Sequence, residues 1–353
     1  MSDLTEQFAD RIRAASGPLC IRGSGSKDFY GNAPRGEVLE AGGHRGIVGY
    51  EPTELVITAR CGTPLAEIKS ALAERRQMLA FEPPSFGDAA TIGGVVAAGL
   101  SGPRRATAGS VRDFVLGVKL LDGEGRLLTF GGQVMKNVAG YDVSRLIAGS
   151  LGTLGLISEV SIKVLPLPMA EATLRFELPQ DKALDLMNRW AGQPLPVSAT
   201  CWADDSLTLR LSGAGTAVES ASSALGGERV ADAAAAHFWT SLREQRHAFF
   251  AADGDAAALW RLSVPSIAGA LDLPGATLVE WGGAQRWIRG GSSDAPRAAA
   301  LRVGGHATLF RGGDKSAGVF QPLDPVTQRI HRDLKRSFDP RGILNAGRMY
   351  PDL

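Results

Sequence analysis

Residues 20–28, Cys-Ile-Arg-Gly-Ser-Gly-Ser-Lys-Asp, place two glycines, two serines and a lysine directly after a short apolar run. Glycine tolerates backbone angles that clash for other residues and lets the main chain approach a ligand closely. A loop of this kind can therefore turn several N–H groups toward one anion. It is not a dinucleotide-fold fingerprint, because the third glycine that spacing demands is Asp28. Nor is it a Walker loop, since Lys27 follows Ser26 rather than preceding a hydroxyl residue in a Gly-Lys-Ser/Thr run. A surface turn and a phosphate cradle both fit the loop taken alone. Most of the 44 glycines of the chain fall before residue 160, which predicts tight turns around a ligand in that part.

At 353 residues, two domains are the natural expectation. The 38 basic and 37 acidic side chains leave a net charge of +1, so no field attracts nucleic acid or anionic lipid. Cys20, Cys61 and Cys201 are far apart and form neither a disulfide framework nor a metal or cluster spacing, which points to a reduced, cytoplasmic setting. Leu4, Phe8 and Ile12 recur every four residues among balanced charges, an amphipathic helix without the apolar centre of a signal peptide. The longest uncharged run, 89–103, falls short of the roughly 20 residues a membrane span requires, so no span is expected.

Along the first part of the chain, Ile47–Glu51 and the run after Pro52 read as two strands. Thr63 and Pro64 supply an N-cap and first-turn proline for a helix reaching Arg76. The Asp-Gly-Glu-Gly run at 122–125 makes a hairpin, 141–150 a short helix and 155–165 a strand. Elements in this order describe an α+β domain rather than a repeating βα one. After the proline-bearing stretch 165–171 the order becomes β, α, β, β, α, and a similar order recurs from residue 258. A duplicated ferredoxin-like unit is the reading, with the helix at 232–250 between the copies. The boundaries expected are 1–168, 169–323, and a C-terminal segment 324–353 returning to the first domain.

Two further glycine-rich patches occur, at Thr91-Ile92-Gly93-Gly94 and at 149–159. Each alone is also consistent with a helix packed tightly on its neighbours. With the first loop they give three patches with backbone donors in one domain.

The ordered set RGSGS, TIGG, GPRR, KNVAGYDVSRL, GTLG and GILNAGRM resembles the PCMH-type FAD-binding family typified by vanillyl-alcohol oxidase and D-2-hydroxyacid dehydrogenases. Within it, GLSGPRRATAGSVRDFVLG, WRLSVP and EWGGAQRW are most similar to the E-subunit branch of the glycolate oxidases. The resemblance spans nearly the whole chain. It implies a PCMH-type FAD domain and an α+β cap. It implies that Gly23, Ser24, Gly25, Ser26, Lys27 and Asp28 hold the FAD pyrophosphate, with Thr91, Gly93, Gly94, Gly102 and Gly109 along the flavin and ribityl chain. Gly152, Thr153, Gly155 and Ile157 then lie beside the adenine half, and Asn345 returns toward the polar edge of the flavin.

No histidine stands in the first loop or in 82–117, where the family places its covalent tether, so noncovalent FAD is expected. His44, His237, His247, His306 and His331 form no close pair of the kind that holds a metal in the family's catalytic subunits. No residue is assigned as catalytic. His306 is a candidate base, against the reading of a capping or core histidine. Arg104, Arg105, Arg261 and Arg311 have the planar fork that suits a substrate carboxylate, against solvated or flavin-facing roles. Trp260, Trp281 and Trp287 read as cap core. The function implied is that of an FAD-binding subunit oxidising glycolate, a small 2-hydroxy acid, to glyoxylate. Its partners would be a paralogous FAD-binding D subunit and an iron–sulfur F subunit, through which a cytoplasmic chain could sit at the inner membrane. Two alternatives stay open: a self-sufficient 2-hydroxy acid dehydrogenase, and a non-catalytic subunit whose FAD is structural.

Overall fold

The computed structural model describes residues 3–132, 142–251, 257–290 and 294–353. The chain divides into two compact units. One comprises Met1–Leu100, Ser110–Pro166 and Pro322–Leu353, the other Ser101–Gly109 and Leu167–Gln321. Most of the KNVAGYDVSRL motif, residues 136–141, lies outside the described residues.

The first unit is built on a five-stranded antiparallel sheet, in the order Ile47–Glu51, Val56–Arg60, Leu156–Lys163, Val115–Leu121, Leu127–Gly131. Leu156–Lys163 is flanked on both sides and largely buried on both faces, Ser158 and Ser161 included, although its sequence alternates apolar with polar residues. Beside this sheet, Leu19–Arg22 pairs in parallel with Glu37–Glu40. Leu19 is further bridged by the C-terminal segment: its N–H donates to Ile343 O at 2.7 Å and its carbonyl accepts from Asn345 N at 2.9 Å. The expected amphipathic helix forms at Thr5–Ala14 and buries Phe8 and Ile12. The second helix runs Leu65–Glu74 with Pro64, not Thr63, at its N-cap. The Thr63 hydroxyl is engaged instead with the carbonyls of Gly46 and Arg60.

The second unit carries one eight-stranded antiparallel sheet. Its order is Glu228–Val230, Ala170–Glu177, Ser206–Gly213, Val197–Ala203, Thr277–Glu280, Gln285–Arg289, Leu259–Ser263, His306–Arg311. If the strands of each half are counted along the chain, this is 4-1-3-2 followed by 2-3-1-4. Two ferredoxin-like sheets thus meet at their second strands, through Cys201↔Glu280 and Trp202↔Val279. In the first half, helices Gln180–Ala191 and Gly215–Leu225 cover a core of Leu174, Leu184, Met187, Leu207, Leu209, Leu211 and Val218. Among the described residues, the α-helix on the second half is Asp294–Arg302. A loop carrying Leu271 and Leu273 packs on Trp260, Leu262 and Ile288, where the other half has its first helix. The buried Arg286 guanidinium holds that loop, donating to the carbonyls of Gly283 at 2.6 Å and Ala268 at 2.8 Å.

Candidate cofactor site

A cleft of about 830 Å3, partly open to solvent, runs through the first unit. Gly23, Ser24, Gly25, Ser26, Lys27 and Asp28 line it, with Thr91, Gly93 and Gly94, Gly152, Gly155 and Ile157, and Asn345. Cys20, Ile21, Arg22, Cys61, Ala97, Ala98, Leu151 and Arg348 are also in the wall and were not singled out as site residues from the sequence. Three expected residues are not in the wall. Gly102 and Gly109 belong to Ser101–Gly109, in the second unit. The Thr153 hydroxyl turns back to Ser150 O at 2.7 Å.

The glycine loop is shaped by two close approaches. Gly25 has φ +77°, and a Cβ there would come within 2.5 Å of Arg22 Nη2. A Cβ on Gly23 would lie 2.5 Å from Thr91 Oγ1. The turn is closed by Asp28 N donating to Gly25 O at 3.0 Å, and the Arg22–Asp28 ion pair at 2.8 Å spans it. From behind, Arg348 donates to the carbonyls of Asn32, Asp28 (2.9 Å) and Lys27. Among the described residues, the N–H groups of Ser24 and Gly25 have no protein acceptor, and the buried Arg22 Nε is without a partner. Those donors are what an anion at this loop would accept from.

The second patch works differently from the expectation. The N–H of Ile92 donates to Thr63 O, that of Gly93 to Cys61 O at 2.8 Å, and that of Gly94 to the N-cap Thr91 Oγ1 at 3.3 Å. All are spent on protein, so this is not a donor patch. Its glycines permit close packing: a Cβ on Gly93 would lie 2.6 Å from Cys61 Cβ. Helix Ile92–Ala98 ends at Gly99, φ +68°, where a Cβ would come within 2.7 Å of Gly149 Cα. The third patch is thereby held against the second.

Asn345 is engaged by the protein at both ends of its side-chain amide. Its Oδ1 accepts from Ile21 N and its Nδ2 donates to Leu151 O, both at 2.6 Å. It braces the two walls of the cleft with both ends of its amide. His44 lies outside the lining and is structural: Nδ1 accepts from Leu4 N at 3.2 Å and Nε2 bonds Ser158 Oγ at 3.1 Å. Burial pushes the Cys61 thiol up to about 12. The Cys20 thiol is also raised, by burial and then by Asp28.

The four candidate arginines of the second unit have internal partners. Arg104 pairs with Glu171 at 2.6 Å, Arg105 lies 4.4 Å over the Trp281 ring, Arg261 lies 5.4 Å over Phe310, and Arg311 donates to Gln245 Oε1 at 3.0 Å. Trp260 and Trp287 are buried, and Trp281 Nε1 donates to Gly102 O at 3.0 Å. His306 opens its strand at an exposed position opposite Ser263.

Residues 5–131 match the family model of the FAD binding domain. The chain is 50% identical to glycolate oxidase subunit GlcE of Escherichia coli (strain K12) over 337 residues, 95% of this chain and 93% of that one. The chain belongs to the glycolate oxidase E-subunit family. A more distant relative of this E-type chain is glycolate oxidase subunit GlcD of Bacillus subtilis (strain 168), 33% identical over 159 residues, 44% of this chain and 34% of that one. Among solved structures, alkyldihydroxyacetonephosphate synthase superposes with TM-score 0.64 at 14% identity, covering 96% of this chain and 75% of that one, which establishes the shared fold.

The E-type chain is a PCMH-type flavoprotein, an FAD-dependent oxidoreductase whose cofactor is FAD. The residues of the cleft fit that group. The Gly23–Asp28 loop offers unspent donors in a cradle that a Cβ would fill, and Cys61, Ala97, Ala98 and Ile157 give the apolar stretch a ring system needs. No helix among the described residues is long and apolar enough to cross a membrane.

Proposed function

We propose that this chain is a flavin-carrying subunit of a glycolate dehydrogenase complex. Glycolate is oxidised to glyoxylate, and the electrons leave through an iron–sulfur partner to an acceptor. The observation that carries the reading is the 50% identity over 95% of the chain, joined to a cleft with donors where a dinucleotide phosphate would lie. The relatedness to a D-type chain supports a paralogous partner of that kind. Bound FAD supplies a two-electron acceptor for the hydride of a carbinol carbon. The chain's own part is binding: Ser24 and Gly25 offer N–H groups to the pyrophosphate, and the Arg22 guanidinium adds charge beside them. Each charge-assisted hydrogen bond of that kind contributes about 1.5–3 kcal/mol.

The FAD is held noncovalently. Both cysteines of the cleft are thiols at neutral pH, since burial raises them, and a thiol is a poor nucleophile for a tether. The partnered arginines of the second unit, Arg104 above all, favour a subunit that relays electrons over one that clamps a substrate carboxylate by itself. The test is to produce the chain alone and with its D- and F-type partners, load FAD, and assay glycolate-dependent dye reduction. Turnover is expected only from the assembly. A lone, flavin-loaded chain reducing dye at the rate of the complex would overturn this assignment.

A further inference from the structure

Lys335, on the last helix, Pro325–Phe338, is a buried cation with every ammonium proton spent. It donates to Asp339 Oδ2 at 2.7 Å, Leu344 O at 2.7 Å and Thr153 O at 2.8 Å. Asp339 Oδ2 also accepts from Leu344 N at 2.7 Å. The Leu344 residue is thus gripped at its N–H by the carboxylate and at its carbonyl by the ammonium. The next residue is Asn345, at φ +44°, a left-handed conformation that asparagine adopts more readily than other non-glycine residues. From that position its amide joins Ile21, one residue before Arg22 and the glycine loop, to Leu151, itself at φ +52° beside Gly152. A third contact closes the circuit, because Thr153 O, two residues beyond Leu151, is a direct acceptor of Lys335.

We propose that Lys335 is a positioning residue for FAD, acting with Asp339 to fix Asn345 so that the glycine loop and the 151–155 turn stand at the separation the dinucleotide needs. Lys335 is not in the wall of the cleft. Its effect passes through Asn345 and Thr153. A buried ion pair with its remaining protons on carbonyls need not add stability, but loss of one partner leaves the other charge without compensation. The two roles, holding the fold and shaping the site, therefore make different predictions for flavin affinity.

The experiment titrates flavin-stripped protein with FAD, following flavin fluorescence, at a temperature where circular dichroism shows each apo variant folded. K335M is expected to raise the FAD dissociation constant by about tenfold or more, the size an outer-shell partner has at other preorganised sites. I68A, at a buried position of helix Leu65–Glu74 that is not in the cleft wall and has no part in the Lys335–Asn345 contacts, is the control and is expected to lower the apo melting temperature without moving the constant. K335M/N345D is expected to bind no more weakly than N345D alone, since both act through one brace. Should K335M not fold, D339N, which keeps an oxygen for the Leu344 N–H, is judged by the same criteria. A constant within twofold of wild type, additive effects, or failure of both variants to fold overturns the proposal. Failure of the wild type to bind FAD would instead strike at the cofactor itself.

Discussion

Arg22 and Gly25 are in steric register across the glycine loop: the guanidinium occupies the space, 2.5 Å away, that a Cβ on Gly25 would need. The side chain at 22 can therefore lie along the turn and reach Asp28 at 2.8 Å only because residue 25 has none. Gly25→Ala must push Arg22 aside and hold φ +77°, which costs about 1–2 kcal/mol for a residue with a Cβ. FAD affinity is expected to fall by about tenfold or more, since about 1.4 kcal/mol is tenfold in binding, while the apo chain stays folded. Flavin titration beside an apo thermal melt checks it, and full occupancy would show that the loop does not hold the pyrophosphate.

Gly93→Ala is expected to fail in the opposite sense. Its Cβ would meet Cys61 Cβ at 2.6 Å and the Cys61 carbonyl at 2.9 Å, neither of which can move cheaply. Overpacking of this kind costs about 1–3 kcal/mol. The apo melting temperature should drop, with flavin affinity altered less than by Gly25→Ala. A melt indistinguishable from wild type would contradict the packing role.

Acid precipitation should release the flavin. With Cys61 pushed up to about 12 and His44 bonded at both ring nitrogens, neither side chain is poised to form a bond to the cofactor. A yellow supernatant over a colourless pellet is the expected outcome, and a yellow pellet would disprove noncovalent binding.

His44 also sets a pH dependence. Burial lowers its pKa from 6.5, and Nδ1 must remain unprotonated to accept from Leu4 N. The unfolded chain therefore binds the proton more readily. Its contribution to stability is complete above 6.5 and is lost as the pH falls from 6.5 through the lower folded value, by about 1.4 kcal/mol for each unit of lowering. His44→Asn, which keeps an acceptor and removes the titration, should flatten the fall in melting temperature between neutral and mildly acidic pH. An unchanged fall would assign it to other groups, among them His247 and His331, which burial also lowers.

What was legible in the sequence was local. Gly23 and Gly25 could be read as a cradle because the backbone freedom they supply is a property of a few adjacent residues, and the order of elements along the second unit, though not their order in the sheet, followed from alternation and turn residues. The second patch was misread as a donor site because its acceptors, Cys61 O and Thr63 O, lie some 30 residues upstream and are invisible to a motif. Asn345 stood out in its motif, but its task, joining Ile21 to Leu151, depends on separations of 324 and 194 residues. Lys335 gave one faint signal, an i,i+4 partner in Asp339, which on an exposed helix would be an ordinary surface pair. Only its burial distinguishes it.

The last prediction concerns the half of the second unit in which a loop stands where the other half has its first helix. Arg286 is 1% exposed, and burial lowers its pKa to about 10, so it remains charged at neutral pH. It has no carboxylate partner among its hydrogen bonds; Gly283 O, Ala268 O and Gly269 O take its protons at 2.6, 2.8 and 3.4 Å. The guanidinium thus does for the loop what backbone hydrogen bonds do for a helix, gathering the carbonyls of buried Gly283, half-buried Ala268 and exposed Gly269. Arg286→Met fills similar volume but donates nothing. The orphaned carbonyl of buried Gly283 costs about 1–3 kcal/mol and that of half-buried Ala268 less, while water takes over at exposed Gly269, so with relief of the desolvated charge a net loss of about 2 kcal/mol is expected. Urea unfolding should show a lower midpoint, and protease cleavage should become faster within 264–276. If the loss is under about 1 kcal/mol and cleavage there is no faster, Leu271 and Leu273 hold the loop by packing alone, and Arg286 is not its staple.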